Sequence, residues 1–220
     1  MSMIKIENIK KTYTNNESQN VIDGLSLEVA KGEIIGIIGE SGVGKTTLLN
    51  IVGGLIKPDS GEISINNKSS SNIFSDIDRV KTFGYIFQSD FLLPEFNVLD
   101  NLVLPQIIAM KSYEESILKS IELLKFLNLE KISKKYPNEL SVGQCQRISI
   151  LRSIVNNPMV LLADEPTGNL DEKNSELILD LFVKLKESLH LTILIATHDK
   201  KVLNICSSSY RMKDKRLNLI

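Results

Sequence analysis

This sequence predicts an α/β fold: a mostly parallel core sheet, an N-terminal antiparallel β part and an inserted helical subdomain. Three observations lead there. Short apolar runs typical of strands buried on both faces recur at GEIIGIIG, MVLLA and TILIA. Segments with helical periodicity alternate with these runs, which is the pattern of a parallel sheet covered by helices. From about residue 90 to 157 the alternation stops and the pattern becomes helical throughout.

Taken in order, the first 30 residues read as strands. Ile4, Ile6 and Ile9 come early, and Leu25, Leu27 and Val29 then alternate. GEIIGIIG is a buried strand ending in a glycine-rich loop, and TTLLNIVGGL after it suits a helix. KPDSG, with Pro58 and Gly61, marks a turn, and EISIN and FGYIF are further strands. Within the helical stretch, Ile117, Leu118, Ile121 and Leu124 fall on one stripe, and Pro105 is expected to kink its helix. MVLLA is the next buried strand. Leu177, Ile178, Leu181, Phe182 and Leu185 form the inner face of a helix, and TILIA is the last buried strand.

Composition narrows the classes. The chain has 220 residues, 42% hydrophobic, which suffices for one core, so residues 1–220 are expected to form a single domain. Its formal net charge of -1 gives no support for a nucleic-acid partner. Cys145 and Cys206 have neither CxxC spacing nor clustered histidines, which argues against a structural disulfide or zinc site and suits a reducing cytosol. No apolar run approaches the roughly 18 residues needed to span a bilayer. The start, MSMIKIENIKKTY, lacks an apolar signal core. The expectation is a protein neither secreted nor integral, which serves a membrane through a partner.

Three motifs carry chemistry. GESGVGKT, Gly39 to Thr46, matches the phosphate-loop pattern G-x-x-x-x-G-K-[ST] between a strand and a helix. Gly42 and Gly44 let backbone amides turn inward around phosphate oxygens, and the following helix adds its positive dipole end. Lys45 would neutralise the β- and γ-phosphates, and the Thr46 hydroxyl would ligate Mg²⁺. Candidate nucleotide contacts along this stretch are Gly39, Glu40, Ser41, Gly42, Val43, Gly44, Lys45, Thr46 and Thr47. In MVLLADE an apolar strand ends in two carboxylates. Such a pair is costly to bury unless it meets a cation or moves protons. Side chains alternate along a strand, so Asp164 would hold the metal and Glu165 would orient or deprotonate an attacking water. LSVGQ precedes a helical segment. Ser141 and Gln144 form an S-x-x-Q capping box that any helix can use, and the same capped N-terminus beside Gly143 would alternatively serve as an anion site.

With these motifs in hand, the chain resembles the nucleotide-binding subunits of ATP-binding cassette (ABC) transporters over essentially its whole length. That family carries a signature close to LSGGQ, and Val142 stands here where glycine is usual, which implies a looser contact with the γ-phosphate. The resemblance implies ATP and Mg²⁺ as cofactors. It also implies that Tyr13 stacks on adenine and that Gln88 reaches the metal and the attacking water. His198 would contact the γ-phosphate, and Asp171, in NLD, would lie in a loop that crosses to a partner. Ser141, Gly143 and Gln144 would serve the ATP of a second cassette in a dimer. FLLPEFNVLDNLVLP and NNPMVLLADEPTGNLD are similar to the branch that drives bacterial lipoprotein release, macrolide or peptide export and cell-division force transmission. An ATPase peripheral to the cytoplasmic face of the bacterial inner membrane, bound to integral permease subunits, is what that branch implies. His190 is expected at the surface. Cys145, at a helix start, could have a lowered thiol pKa, but an ordinary packed residue is the expectation.

Overall fold

The computed structural model describes residues 2–14, 18–69 and 75–220. Met1, the first residue of the polar start, lies outside them.

The N-terminal strands β1 (Ser2–Tyr13) and β2 (Gln19–Ala30) pair antiparallel. With β4 (Ser60–Ile65) and β5 (Lys68–Ser69) they form one sheet in the order β2-β1-β4-β5. Leu25, Leu27 and Val29 turn one face of it inward, as their alternation predicts, and Ile4, Ile6 and Ile9 join that face across a register shift between Ile6 and Ile9.

The second sheet holds the buried apolar runs. β3 (Ile34–Ile38), β6 (Phe83–Ile86), β7 (Val160–Asp164), β8 (Thr192–Thr197), β9 (Ser208–Lys213) and β10 (Arg216–Leu219) lie in the order β10-β9-β3-β8-β7-β6. All neighbours are parallel except β9 and β10. The runs are continuous because both faces are covered. Val160, Leu162, Leu194 and Ala196 pack toward the N-terminal sheet and α1 (Lys45–Val52), whereas Leu161, Ala163, Ile193 and Ile195 pack with the later helices.

Between β6 and β7 the chain runs through α3 (Val98–Ile108), α4 (Tyr113–Phe126) and α5 (Val142–Ile154). A short helix, α2 (Asp76–Thr82), precedes β6, and α6 (Glu172–Leu189) connects β7 to β8. α5 sits directly on β6: a Cβ built on Gly84 would lie 2.3 Å from the Ser153 carbonyl oxygen. Only glycine lets the two backbones approach this closely.

Two expectations are corrected. The buried face of α4 is Ser116, Ser120, Leu123 and Leu124, centred about one residue earlier than the apolar stripe, and Leu118 is exposed. The cause is a polar seam: the buried Gln106 of α3 donates from Nε2 to the Ser116 carbonyl (3.1 Å) and to Ser120 Oγ (2.9 Å). On α6 Leu177 is exposed, and the inner face is Ser175, Ile178, Leu179, Leu181, Phe182 and Leu185. Pro105 lies within α3, which continues three residues beyond it. His190 is exposed and ends α6 in the left-handed region, with φ 52°.

Candidate active site

The site forms where β3, β7 and β8 end side by side, at the carboxyl edge of the parallel strands. After β3 the chain turns through Gly39–Gly44 into α1. Gly42 and Gly44 have φ of 76° and 111°, a region open mainly to glycine. A Cβ on Gly44 would also lie 2.8 Å from Val21 Cγ1, so this position is closed to larger residues on both counts. Among the described residues no side chain caps α1, and no acidic residue occupies its first turn. Its amino-terminal N–H groups therefore remain directed at an incoming anion.

An open cavity of about 700 Å³ lies over this loop. Of the residues singled out in the sequence, Tyr13, Glu40, Ser41, Gly42, Gly44, Lys45, Thr46, Thr47, Gln88, Glu165 and His198 line it. Gln19 and Val21 line it too. Their strand carries no motif, so nothing in the sequence marks them. Gly39 and Val43 face an adjoining cavity of about 570 Å³ that shares Glu40 and His198 with the first.

Lys45 is buried, with Nζ 2.7 Å from the Gly39 carbonyl oxygen, 3.0 Å from that of Glu40 and 3.4 Å from Glu165 Oε1. Asp164 points to the α1 side of the sheet, where its Oδ2 accepts from Thr46 Oγ1 at 2.7 Å. Its Oδ1 is buried without a hydrogen-bond partner among the described residues. Burial raises the Asp164 carboxyl above the usual range, and the nearby Glu165 charge adds to this, against the Thr46 hydrogen bond and Lys45. A buried, unpartnered carboxylate oxygen beside a threonine hydroxyl is the donor set a hard divalent cation takes.

Glu165 is placed differently. Its backbone leaves the strand with φ 46°, and its Oε2 accepts from Thr197 Oγ1 (2.9 Å) and from the His198 amide (3.2 Å). The same oxygen lies 2.9 Å from His198 Nδ1. Burial works to raise this carboxyl, but the hydrogen bonds from His198 and Thr197 outweigh it and hold it below the usual glutamate range. Two adjacent acids are thus pushed in opposite directions. Thr197 went unread in the sequence, and its only signal is a hydroxyl at the end of an apolar strand.

Ser141, Gly143, Gln144 and Asp171 do not line this cavity. Ser141 caps α5: its Oγ accepts from the Gln144 amide (3.3 Å) while Gln144 Oε1 accepts from the Ser141 amide (3.0 Å). Val142 beside them is 61% exposed. Asp171 caps α6 through the Asn174 amide (2.8 Å) and also holds the Asn174 side chain, which packs against Gly143. Cys145 is buried, and burial pushes its thiol up, so the helix start does not activate it.

A phosphate loop at the switch edge of a parallel sheet, with acids of opposed character behind it, makes this a phosphate-loop nucleotide hydrolase. The sequence matches the family described as ABC transporter over residues 22–168, more than half its length, and the chain belongs to that family. It is similar to the lipoprotein-releasing system ATP-binding protein LolD of Buchnera aphidicola subsp. Schizaphis graminum, with 42% identity over 94% of this chain and 92% of that protein. The protein of the same description from Bacteroides thetaiotaomicron is 41% identical over 96% and 97% of the two chains. Among solved structures, a dimeric ATP-binding cassette in a post-hydrolysis state, bound to ADP and Pi, superposes with TM-score 0.87. It is 36% identical and covers 98% of this chain and 97% of that one. Among the described residues no helix is long and apolar enough to cross a membrane.

Proposed function

We propose that this chain is the ATP-hydrolysing subunit of a transporter that releases lipoproteins from the bacterial inner membrane, acting as a homodimer on the cytoplasmic face beneath integral permease subunits. Residues 1–220 would act as one ABC domain, with the helical part at about 90–157 inserted in its α/β core. The observation that carries the reading is the junction of Lys45, Glu165 and His198 in one cavity, with Thr46 and Asp164 paired behind it.

In this reading Tyr13 stacks on the adenine, and residues 39–47 wrap the phosphates. Lys45 exchanges its loop carbonyls for the β- and γ-phosphate oxygens. Glu165, kept ionised, orients and deprotonates the attacking water, and His198 holds the γ-phosphate while keeping Glu165 in place. Thr46, Asp164 and Gln88 would hold Mg²⁺, which when bound neutralises charge on the phosphates. Ser141, Gly143 and Gln144 lie outside their own chain's cavity, so a second copy is needed to bring a signature segment to each ATP. Asp171, which holds the Asn174 that packs against Gly143, would line that junction. Phe87, Phe91, Leu93 and Phe96 are exposed beside Gln88, next to an open groove of about 330 Å³ bounded by α3 residues. Such an apolar face suits a permease segment.

The test is purification of Glu165→Gln from solubilised membranes with ATP and Mg²⁺. Turnover should fall by about 100-fold or more while ATP stays bound. Recovery of permeases with large periplasmic domains and bound lipoprotein supports the reading. A division-type membrane protein without cargo would replace it with force transmission, and an exporter permease would replace it with macrolide or peptide export. No membrane protein at all would overturn the transport claim.

A further inference from the structure

Arg152, on the helix that begins with the signature segment, reaches back to the loop that carries Gln88. Its Nη1 donates to the Phe91 carbonyl oxygen and its Nη2 to that of Asp90, each at 2.7 Å. One planar fork thus holds two successive carbonyls. The loop it holds is not relaxed: Phe91 has φ 46°, a region that bulky residues avoid. The Phe91 ring meets Phe87 edge-on at 5.5 Å, and Phe87 stacks on Tyr85 at 4.4 Å, so the backbone on both sides of Gln88 is pinned. A second tether comes from the opposite direction, where Asn169 Nδ2 donates to the Gln88 carbonyl oxygen at 3.2 Å. The Gln88 side chain itself faces the nucleotide cavity.

We infer that Arg152 is a positioning residue for Gln88, and that it ties the signature helix α5 mechanically to the nucleotide cavity of its own chain. Ser141 and Arg152 stand on one rigid helix, roughly 16 Å apart along its axis. When a partner's nucleotide draws the signature end, the same rigid body moves the carbonyls of Asp90 and Phe91, and with them Gln88. Each cassette would thereby report engagement of its signature at its own site. The inference rests on Gln88 acting at the bound nucleotide, as proposed above.

The experiment is a double-mutant cycle on the full chain. Arg152→Met and Gln88→Ala are made singly and together, with Arg152→Lys as the conservative variant, and ATPase rates, ATP affinity and thermal midpoints are measured for each. Amide hydrogen exchange over residues 88–93 is followed in parallel. Arg152→Met is expected to lower kcat by about 10- to 100-fold and to leave ATP affinity within about two-fold, with faster exchange confined to residues 88–93. Arg152→Lys keeps a charged donor group but not the two-nitrogen fork, and should recover part of kcat. The double variant should be no slower than the slower single one, because both changes disable one device. Independent, multiplying losses, or unchanged exchange over residues 88–93, would overturn the clamp while leaving Gln88 its role. Unchanged kcat in Gln88→Ala would instead remove the role of Gln88, and the positioning proposal with it.

Discussion

Asp164 and Glu165 are neighbours in sequence and opposites in environment. The strand's alternation sends Asp164 toward α1 and Thr46, and the strand's end lets Glu165 turn to Thr197 and His198. The linkage signs follow. A carboxyl raised above its ordinary value on folding costs stability in full above its folded value, and that cost fades as pH falls from the folded value to the unfolded one. Asp164→Asn should therefore raise the thermal midpoint of the nucleotide-free chain at neutral pH. The gain should fade as pH approaches the ordinary aspartate range near 3.8. Melts across that range check this, and an equal gain at all pH values would contradict the burial argument. Glu165 has the opposite sign: its contribution is present above the ordinary glutamate value and is lost as acid protonates it.

At the scale of elements, α5 is capped reciprocally by Ser141 and Gln144, as the S-x-x-Q spacing predicts. Ser141→Ala should cost about 1 kcal/mol and lower the midpoint by about 2–4 °C, a small loss beside any effect on turnover. Thermal denaturation and ATPase assays on one preparation separate the two. The opposite end of α5 is less forgiving. Gly84→Ala would force a Cβ into the Ser153 carbonyl, a backbone group that cannot rotate away. Destabilisation of about 1–3 kcal/mol is expected, measurable by urea titration.

The whole molecule brings most of the phosphate loop, Glu165 and His198 into one cavity, with Asp164 paired to Thr46 behind it, and leaves the signature outside. A single chain therefore holds its nucleotide from one side. Glu165→Gln with ATP and Mg²⁺ should sediment at twice the monomer mass, and removing the nucleotide or adding Lys45→Ala should return it to monomer. A Glu165→Gln chain that stays monomeric at saturating ATP would break the two-site argument.

Local chemistry made much of this legible in advance. The phosphate loop, the acidic pair, the capping box and the buried strands are set by residues adjacent in sequence, where spacing alone dictates turn, register and face. The sequence determined the α/β class, the phosphate loop and the likeness to ABC subunits from such patterns. Tertiary structure decided the rest, because it depends on residues far apart in the chain. Apolar spacing placed Leu118 on the inner face of α4, but Gln106 of α3 seats the serine face there instead. Thr197 and His198 set the state of Glu165 across 32 and 33 residues, and Arg152 grips Phe91 across 61. A one-dimensional pattern records which side chain is available; only the packed chain fixes which charge, donor or wall each one meets.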